Sequence, residues 1–279
     1  MSSPTLIDGE VGPIAIHDLG GDGPEMLVIC HATGFHGPAY RAFARELNQD
    51  VRVVAMDLRS HGDSAAPSVE ADFSWVGMAN DVARTIDHVN TVHDIDRLHG
   101  FGHSMGGAAL LEVERSQPGT FSTAMVFEPI VPPHSFQGES PLQKAAAARL
   151  RSFPSRGHAL ERYAARPPLG LFRADVLHDY VEHGFRDAGS GDVTLKCVPE
   201  NEAAIYGQAG TIPLEALVEV DMDVVVGCSG DEGVAAQLAL HVADTLPNGR
   251  LLNFAELTHF GPLQNPVSVA NEMRQMMAG

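Results

Sequence analysis

A serine, a histidine and one of two carboxylates stand in this chain in contexts suited to nucleophilic catalysis. The serine is Ser104, in the stretch Leu98 to Gly107, which reads LHGFGHSMGG. Gly102 and Gly106 flank it, and the helix-forming run Ala108 to Glu112 follows. A strand that enters, reverses within a few residues and leaves as a helix strains its central residue and lifts that side chain clear of the sheet. A Cβ at either flanking position would collide across so sharp a turn, which accounts for the glycines. A hydroxyl at the tip would sit at a helix N-terminus, where free N–H groups and the positive dipole end favour a developing oxyanion. Gly-x-Ser-x-Gly alone also describes a glycine-rich turn whose serine caps a helix. The catalytic reading therefore needs a base, an acid and a second oxyanion donor from elsewhere.

The base must be a histidine within reach of Ser104. Among 14 histidines, His259 is singled out by its place, in the stretch Glu256 to Pro262 after the last strand-like run. His103 adjoins Ser104, and neighbouring side chains diverge at such a turn. His99 and His103 are four apart on a strand and turn rather than on a helix, so they are not read as a metal pair, and no metal or cofactor is expected. Two carboxylates compete for the acid. Asp231 lies in Gly-Cys-Ser-Gly-Asp-Glu after the next-to-last strand-like run, a sequence that also suits a plain solvated turn. Glu128 closes the apolar run Ala124 to Phe127, where an unpaired carboxylate would be costly. The sequence leaves both open. The oxyanion would take one N–H from Met105 and a second from the loop His31 to Gly34, foremost Thr33.

Those residues need elements to hold them. Thr5 to Leu19, broken by glycines and a proline, reads as an edge hairpin. Met26–Cys30, Val51–Met56, Phe121–Phe127, Met222–Gly227 and Arg250–Phe254 read as short strands, and most are apolar throughout. Helices are expected from Pro38 to about Leu47, over Ser74–Val92 with Val76, Ala79, Val82, Ala83, Ile86 and Val89 inward, from the elbow to about Ser116, and over Val234–Leu246 and Val267–Met277. Strand–helix alternation of this kind implies an α/β fold, a mostly parallel sheet with helices on both faces. Ligands in such sheets bind beyond the carboxyl ends of the strands, and every polar segment named above follows a strand. Between 132 and 219 prolines cluster, no strand-like run of length occurs, and short helical patterns cover Pro141–Phe153, Gly157–Ala165, Ala174–Phe185 and Glu200–Tyr206. Residues 1–131 and 220–279 are read as the core and 132–219 as a helical lid over the site. Phe136, Leu142, Phe153, Tyr163, Leu169, Phe172 and Tyr206 are candidate pocket walls, with most of them expected in the lid's own core.

Composition narrows the partners. At 279 residues the chain can bury one large core. It carries 36 acidic and 18 basic residues, a formal net charge of −18, which argues against nucleic acid and anionic membranes and leaves a small-molecule substrate. Cys30, Cys197 and Cys228 are odd in number and widely spaced, and are read as reduced. Met1 to Glu10 lacks a basic region followed by an apolar core, and no apolar run reaches the ~20 residues of a membrane span. A cytoplasmic location is expected, and a homodimer is left open.

Four stretches together resemble the α/β-hydrolase superfamily: HATGF from His31, DLRSHGDS from Asp57, GHSMGG from Gly102 and THFGP from Thr258. They occur in that superfamily's order and cover nearly the whole chain. The first reads His-Ala where many relatives have His-Gly, and the loop before Asp231 has an extra glycine. Some branches carry a glutamate after the strand that follows the nucleophile helix, as Glu128 stands here. A serine in place of aspartate argues against the dehalogenase and epoxide-hydrolase branches. The resemblance implies acyl transfer to water, with small to medium, uncharged or modestly polar esters or lactones as substrates. A second expectation is hydrolysis of a C–C bond in a β-diketone-like ring-cleavage product, with Arg149, Arg151, Arg166 or Arg173 gripping a carboxylate. A third is a hydrolase-like binding protein without catalysis.

Overall fold

A computed structural model of the chain describes residues 3–133, 139–189 and 191–279. The hairpin β1 (Thr5–Asp8) and β2 (Pro13–Asp18) leads to β3 (Glu25–Cys30), the short helix α1 (Arg41–Arg45) and β4 (Arg52–Met56). Then follow α2 (Trp75–Val92), β5 (Arg97–His103), α3 (Met105–Ser116) and β6 (Thr123–Phe127). An inserted segment holds α4 (Pro141–Ala147), β7 (Ser152–Phe153), α5 (Arg156–Ala164), α6 (Ala174–Gly184), β8 (Phe185–Asp187), β9 (Val193–Leu195) and α7 (Pro199–Gly207). The chain closes with β10 (Val224–Ser229), α8 (Val234–Thr245), β11 (Gly249–Phe254), α9 (Gly261–Gln264) and α10 (Pro266–Met277).

Eight strands form one sheet in the order β1-β2-β4-β3-β5-β6-β10-β11, parallel from β4 to β11 with the hairpin antiparallel at one edge. Two apolar clusters cover its faces. One joins Val82, Leu110 and Val242 of α2, α3 and α8, and the other joins Phe43 and Met273 of α1 and α10. Burial on both faces is why these strands read as continuous apolar runs rather than alternating ones. The register places Cys30 beside Gly102, His103 beside Phe127, and Phe127 beside Gly227. The segments that start at His31, Ser104, Glu128 and Ser229 therefore leave the sheet side by side at its carboxyl edge.

Some expectations change. Val76 of α2 faces solvent, because Trp75 and Met78 take the inward positions after the Ser74 cap, whose hydroxyl accepts from the Gly77 amide. The expected helix from Pro38 is a 3-10 turn, Gly37–Tyr40, followed by the five residues of α1. The inserted segment is not wholly helical: β7, β9 and β8 form a small antiparallel sheet. Strands of two or three residues are too short to leave a periodic signal. Cys30, Cys197 and Cys228 are all free and buried.

Candidate active site

Ser104 stands between β5 and α3 with φ 56° and ψ −117°, a strained conformation for a residue with a side chain. The surroundings hold it there: its amide donates to the Phe127 carbonyl at 2.9 Å, and its carbonyl accepts from the amides of Ala108 and Ile130. A Cβ on Gly102 would lie 2.5 Å from Gly107 Cα, across the turn as expected. One on Gly106 would lie 2.2 Å from the Cys30 carbonyl oxygen, so that glycine is required by the neighbouring strand as much as by the turn.

The two carboxylates that the sequence left open are placed differently. Glu128, fully buried and itself at φ 42°, accepts from His259 Nδ1 at 2.7 Å through Oε2 and from the Ser229 amide at 2.8 Å through Oε1. Burial pushes its carboxyl pKa up, but the hydrogen bond and charge of His259 and the contacts with Ser229 outweigh that and hold it below its ordinary value. Asp231 is exposed, and its Oδ2 accepts from the main-chain amide of His259 at 3.3 Å. Glu128 thus faces the ring and Asp231 the backbone. Since Nδ1 donates to Glu128, a neutral His259 presents Nε2 as an acceptor, and Nε2 has no hydrogen-bond partner among the described residues.

On the other side of Ser104, the Thr33 hydroxyl donates to Met105 Sδ at 3.3 Å and ties the two residues together. Among the described residues the amides of Thr33 and Met105 enter no hydrogen bond. Sequence reading missed the residues that bolt this loop in place. His31 donates from Nδ1 to its neighbour's carbonyl, at Ala32, and accepts the Leu58 amide at Nε2. His61 donates from Nδ1 to the Arg59 carbonyl and accepts the Gly34 amide at Nε2, 3.0 Å away. Burial holds the pKa of His31 well below the ordinary histidine value and pulls that of His61 down to about 4. Both rings are neutral, each with one donor and one acceptor satisfied by main chain.

A further chain links all three parts of the site. The Ala32 amide donates to Tyr40 Oη (3.2 Å), Tyr40 donates to His103 Nδ1 (2.7 Å), and His103 Nε2 donates to the His259 carbonyl (2.8 Å). Its direction is determined. A carbonyl only accepts, so Nε2 of His103 carries the proton, and burial, reinforced by the charge of His259, keeps the ring neutral with Nδ1 free to accept. His103 also brings its ring to 5.1 Å from that of His259. The signal for these residues was the quoted HATGF, DLRSHGDS and GHSMGG stretches, but pairings between distant loops leave no spacing to read.

Among the described residues one group of ligand-type atoms, from His17, Asp57 and Asp63, falls within 4.8 Å. Those atoms are already committed. Asp57 Oδ2 accepts from His17 Nε2 and from the Asp63 amide, and Asp63 pairs with the Lys196 ammonium at 2.6 Å, which leaves the cluster ill suited to a cation. His99 pairs with Glu25 and Thr123, away from His103.

A cavity of about 570 Å³ opens beside the site, between Thr33 and Phe260 of the core and α4, α5 and α7 of the inserted segment. Of the expected wall residues, Leu142, Phe153, Tyr163, Leu169 and Tyr206 line it, more than expected. Phe172 packs against Phe35 and Phe260 instead, and Phe136 lies outside the described residues. Arg149 lines the cavity but pairs with Glu202 and donates to Tyr180 Oη, whose hydroxyl donates in turn to the Gly34 carbonyl. Arg151 and Arg173 are paired with Glu200 and Asp175.

A family model described as "Alpha/beta hydrolase family" matches residues 27–272. The chain belongs to the alpha/beta hydrolase family. Among its relatives by sequence is protein phosphatase methylesterase 1 of Candida albicans, 27% identical over 141 residues, 49% of this chain and 38% of that protein. Another is the dihydrolipoyllysine-residue acetyltransferase component of an acetoin cleaving system of Pseudomonas putida, 35% identical over 108 residues, 36% of this chain and 26% of that protein. The chain spans about two fifths or less of the curated relatives it matches. Among solved structures, the peroxisomal alpha-beta-hydrolase Lpx1 of Saccharomyces cerevisiae aligns with a TM-score of 0.79 at 16% identity, over 99% of this chain and 85% of that one. A thermophilic esterase of Thermogutta terrifontis aligns with a TM-score of 0.72 at 18% identity, over 99% and 98%. At such identities these likenesses speak to the fold. No helix among the described residues is long and apolar enough to cross a membrane.

Proposed function

We propose that this chain is a serine hydrolase of carboxylic esters or lactones, with Ser104 as nucleophile, His259 as base and Glu128 as the acid that orients it. The observation that carries the reading is the 2.7 Å hydrogen bond from His259 Nδ1 to buried Glu128, with the opposite ring nitrogen left as an acceptor on a loop that His103 ties beside the elbow. Ser104 Oγ gives its proton to His259 Nε2 as it bonds to the substrate carbonyl carbon. The Thr33 and Met105 amides receive the oxyanion. The carbon–oxygen bond then breaks, the leaving alkoxide takes the proton from His259, and water repeats the sequence to free the acid and Ser104. The inserted segment acts as a lid that walls the cavity and limits water. Relatives described as methylesterase and esterase agree with ester chemistry.

The test is labelling with a fluorophosphonate, read by intact mass and peptide mapping, beside burst kinetics on a 4-nitrophenyl ester. A single adduct on Ser104, absent in Ser104→Ala, is expected. Folded protein that takes no adduct and shows no burst would overturn the reading in favour of a binding protein.

A further inference from the structure

We infer that the ester turned over here carries a carboxylate at the end remote from the scissile bond, received by Arg162 and Arg166 where the cavity meets solvent. This rests on the ester-hydrolase reading above and departs from the expectation of an uncharged substrate. The charged residues lining the cavity are Arg149, Arg162, Arg166 and Glu202. Arg149 and Glu202 neutralise one another, the latter buried. Two cations remain. In a chain with twice as many acidic as basic residues, an unassigned stretch of wall would be expected to carry negative charge.

The other arginines nearby are spoken for. Arg149, Arg151, Arg156 and Arg173 all form ion pairs. Among the described residues Arg162 and Arg166 form none, and both are exposed. A cation near the end of α5 also compensates the helix's carbonyl end, which would account for one arginine there. It does not account for two that both line the cavity. Beside buried Thr33 and Gly34 sits the mutually neutralised Arg149–Glu202 pair, and Phe35, Phe153 and Leu169 give the wall its apolar surface. The matching ligand has an apolar middle, a reactive carbonyl at one end and a planar anion at the other, which guanidinium groups bind in a bidentate manner. The heads are solvated, so each pair is of the weak surface kind. Together they should give about a three- to tenfold preference that salt screens.

The experiment compares 4-nitrophenyl hexanoate with mono-4-nitrophenyl adipate, a six-carbon pair differing by the terminal carboxylate. The expected ratio of kcat/KM favours the adipate about three- to tenfold at low ionic strength and shrinks in 0.5 M salt. R162Q/R166Q should remove the preference. R186Q/R250Q, which deletes equal charge at exposed sites outside the cavity, should keep it. Equal turnover of both esters, or a preference that survives R162Q/R166Q, overturns the inference and leaves the ester reading standing. Failure to turn over either ester counts against the ester reading. Binding of the same two intact esters to Ser104→Ala protein, measured by calorimetry, then still decides the inference: tighter adipate binding lost in 0.5 M salt supports it, and equal binding refutes it.

Discussion

Replacing Glu128 by glutamine changes one atom, and the structure says which proton it moves. Glu128 accepts two N–H groups, one from the Ser229 amide at Oε1 and one from His259 Nδ1 at Oε2. Glutamine has one oxygen and one NH₂, so it can accept only one of them. The Ser229 amide is main chain and cannot adapt, whereas imidazole can exchange tautomers. The oxygen should therefore turn to Ser229 and the NH₂ to His259. His259 must then accept at Nδ1 and carry its proton at Nε2, where a base needs a lone pair. An acid-to-amide exchange of this kind lowers kcat by about 10⁴ in a serine triad, equivalent to about 5 kcal/mol of transition-state stabilisation. Asp231→Asn is the control. Asp231 accepts a single main-chain amide at 3.3 Å on an exposed face, and asparagine retains an oxygen for it, so the loss should stay within about threefold. Kinetics on a 4-nitrophenyl ester, with circular dichroism to confirm folding and ¹⁵N NMR to assign the tautomer, read all three quantities. If Asp231→Asn costs as much as Glu128→Gln, or Glu128→Gln stays within tenfold of wild type, the assignment of Glu128 is wrong.

Two further predictions concern the scaffold. Tyr40→Phe strands the buried Ala32 amide and His103 Nδ1, and should cost about 1–3 kcal/mol in urea unfolding together with a fall in kcat as the His259 loop loosens; unchanged values for both would show that the Tyr40–His103 chain positions nothing. Asp57 is buried and accepts from His17, Gly37 and Asp63 at 2.8 Å each; burial would raise its pKa, yet His17, His36 and His31 hold it well below the ordinary carboxylate range. A depressed carboxylate gives stability that is complete above the unfolded pKa of about 3.9 and is lost as pH falls through the folded value. Asp57→Asn should therefore cost about 3 kcal/mol between pH 5 and 7, and its gap from wild type in urea midpoints should narrow only below about pH 4. A gap that widens on acidification would refute the sign.

The parts that were legible share a cause. Ser104, His259 and the glycines sit at strand ends, where the demands on a residue are local: a positive φ, a close backbone approach, a polar tip after an apolar run. The same holds for Glu128, whose cost at the end of β6 was visible without knowing what it paired with. What separated it from Asp231 was not local. The choice depended on the register of β6 against β10, which lays Glu128 beside the strand leading to Ser229 and leaves Asp231 out in solvent. Likewise, the cavity faces of α4, α5 and α7 depended on how the inserted segment folds onto residues about a hundred positions away, and Arg149, Arg151 and Arg156 are paired with carboxylates that no spacing announced.

Fourteen histidines looked uninformative as a count, yet those around the elbow can be sorted by one test. An imidazole with one N–H and one lone pair can be buried without charge if a main-chain carbonyl accepts from the first and an amide or a side-chain hydroxyl donates to the second. His31, His61 and His103 each satisfy both nitrogens in this way, which makes them struts between loops that helices and strands cannot reach. His259 satisfies only Nδ1, and with a carboxylate. The three struts lose function if protonated, since each would turn its acceptor nitrogen into a donor facing another donor, N–H or O–H. Their burial keeps the extra proton off, and His61 takes one only as the pH falls to about 4. His259 keeps its Nε2 lone pair out of any hydrogen bond among the described residues, and this division of labour between His259 and the three struts is what the proposed chemistry requires of the fold.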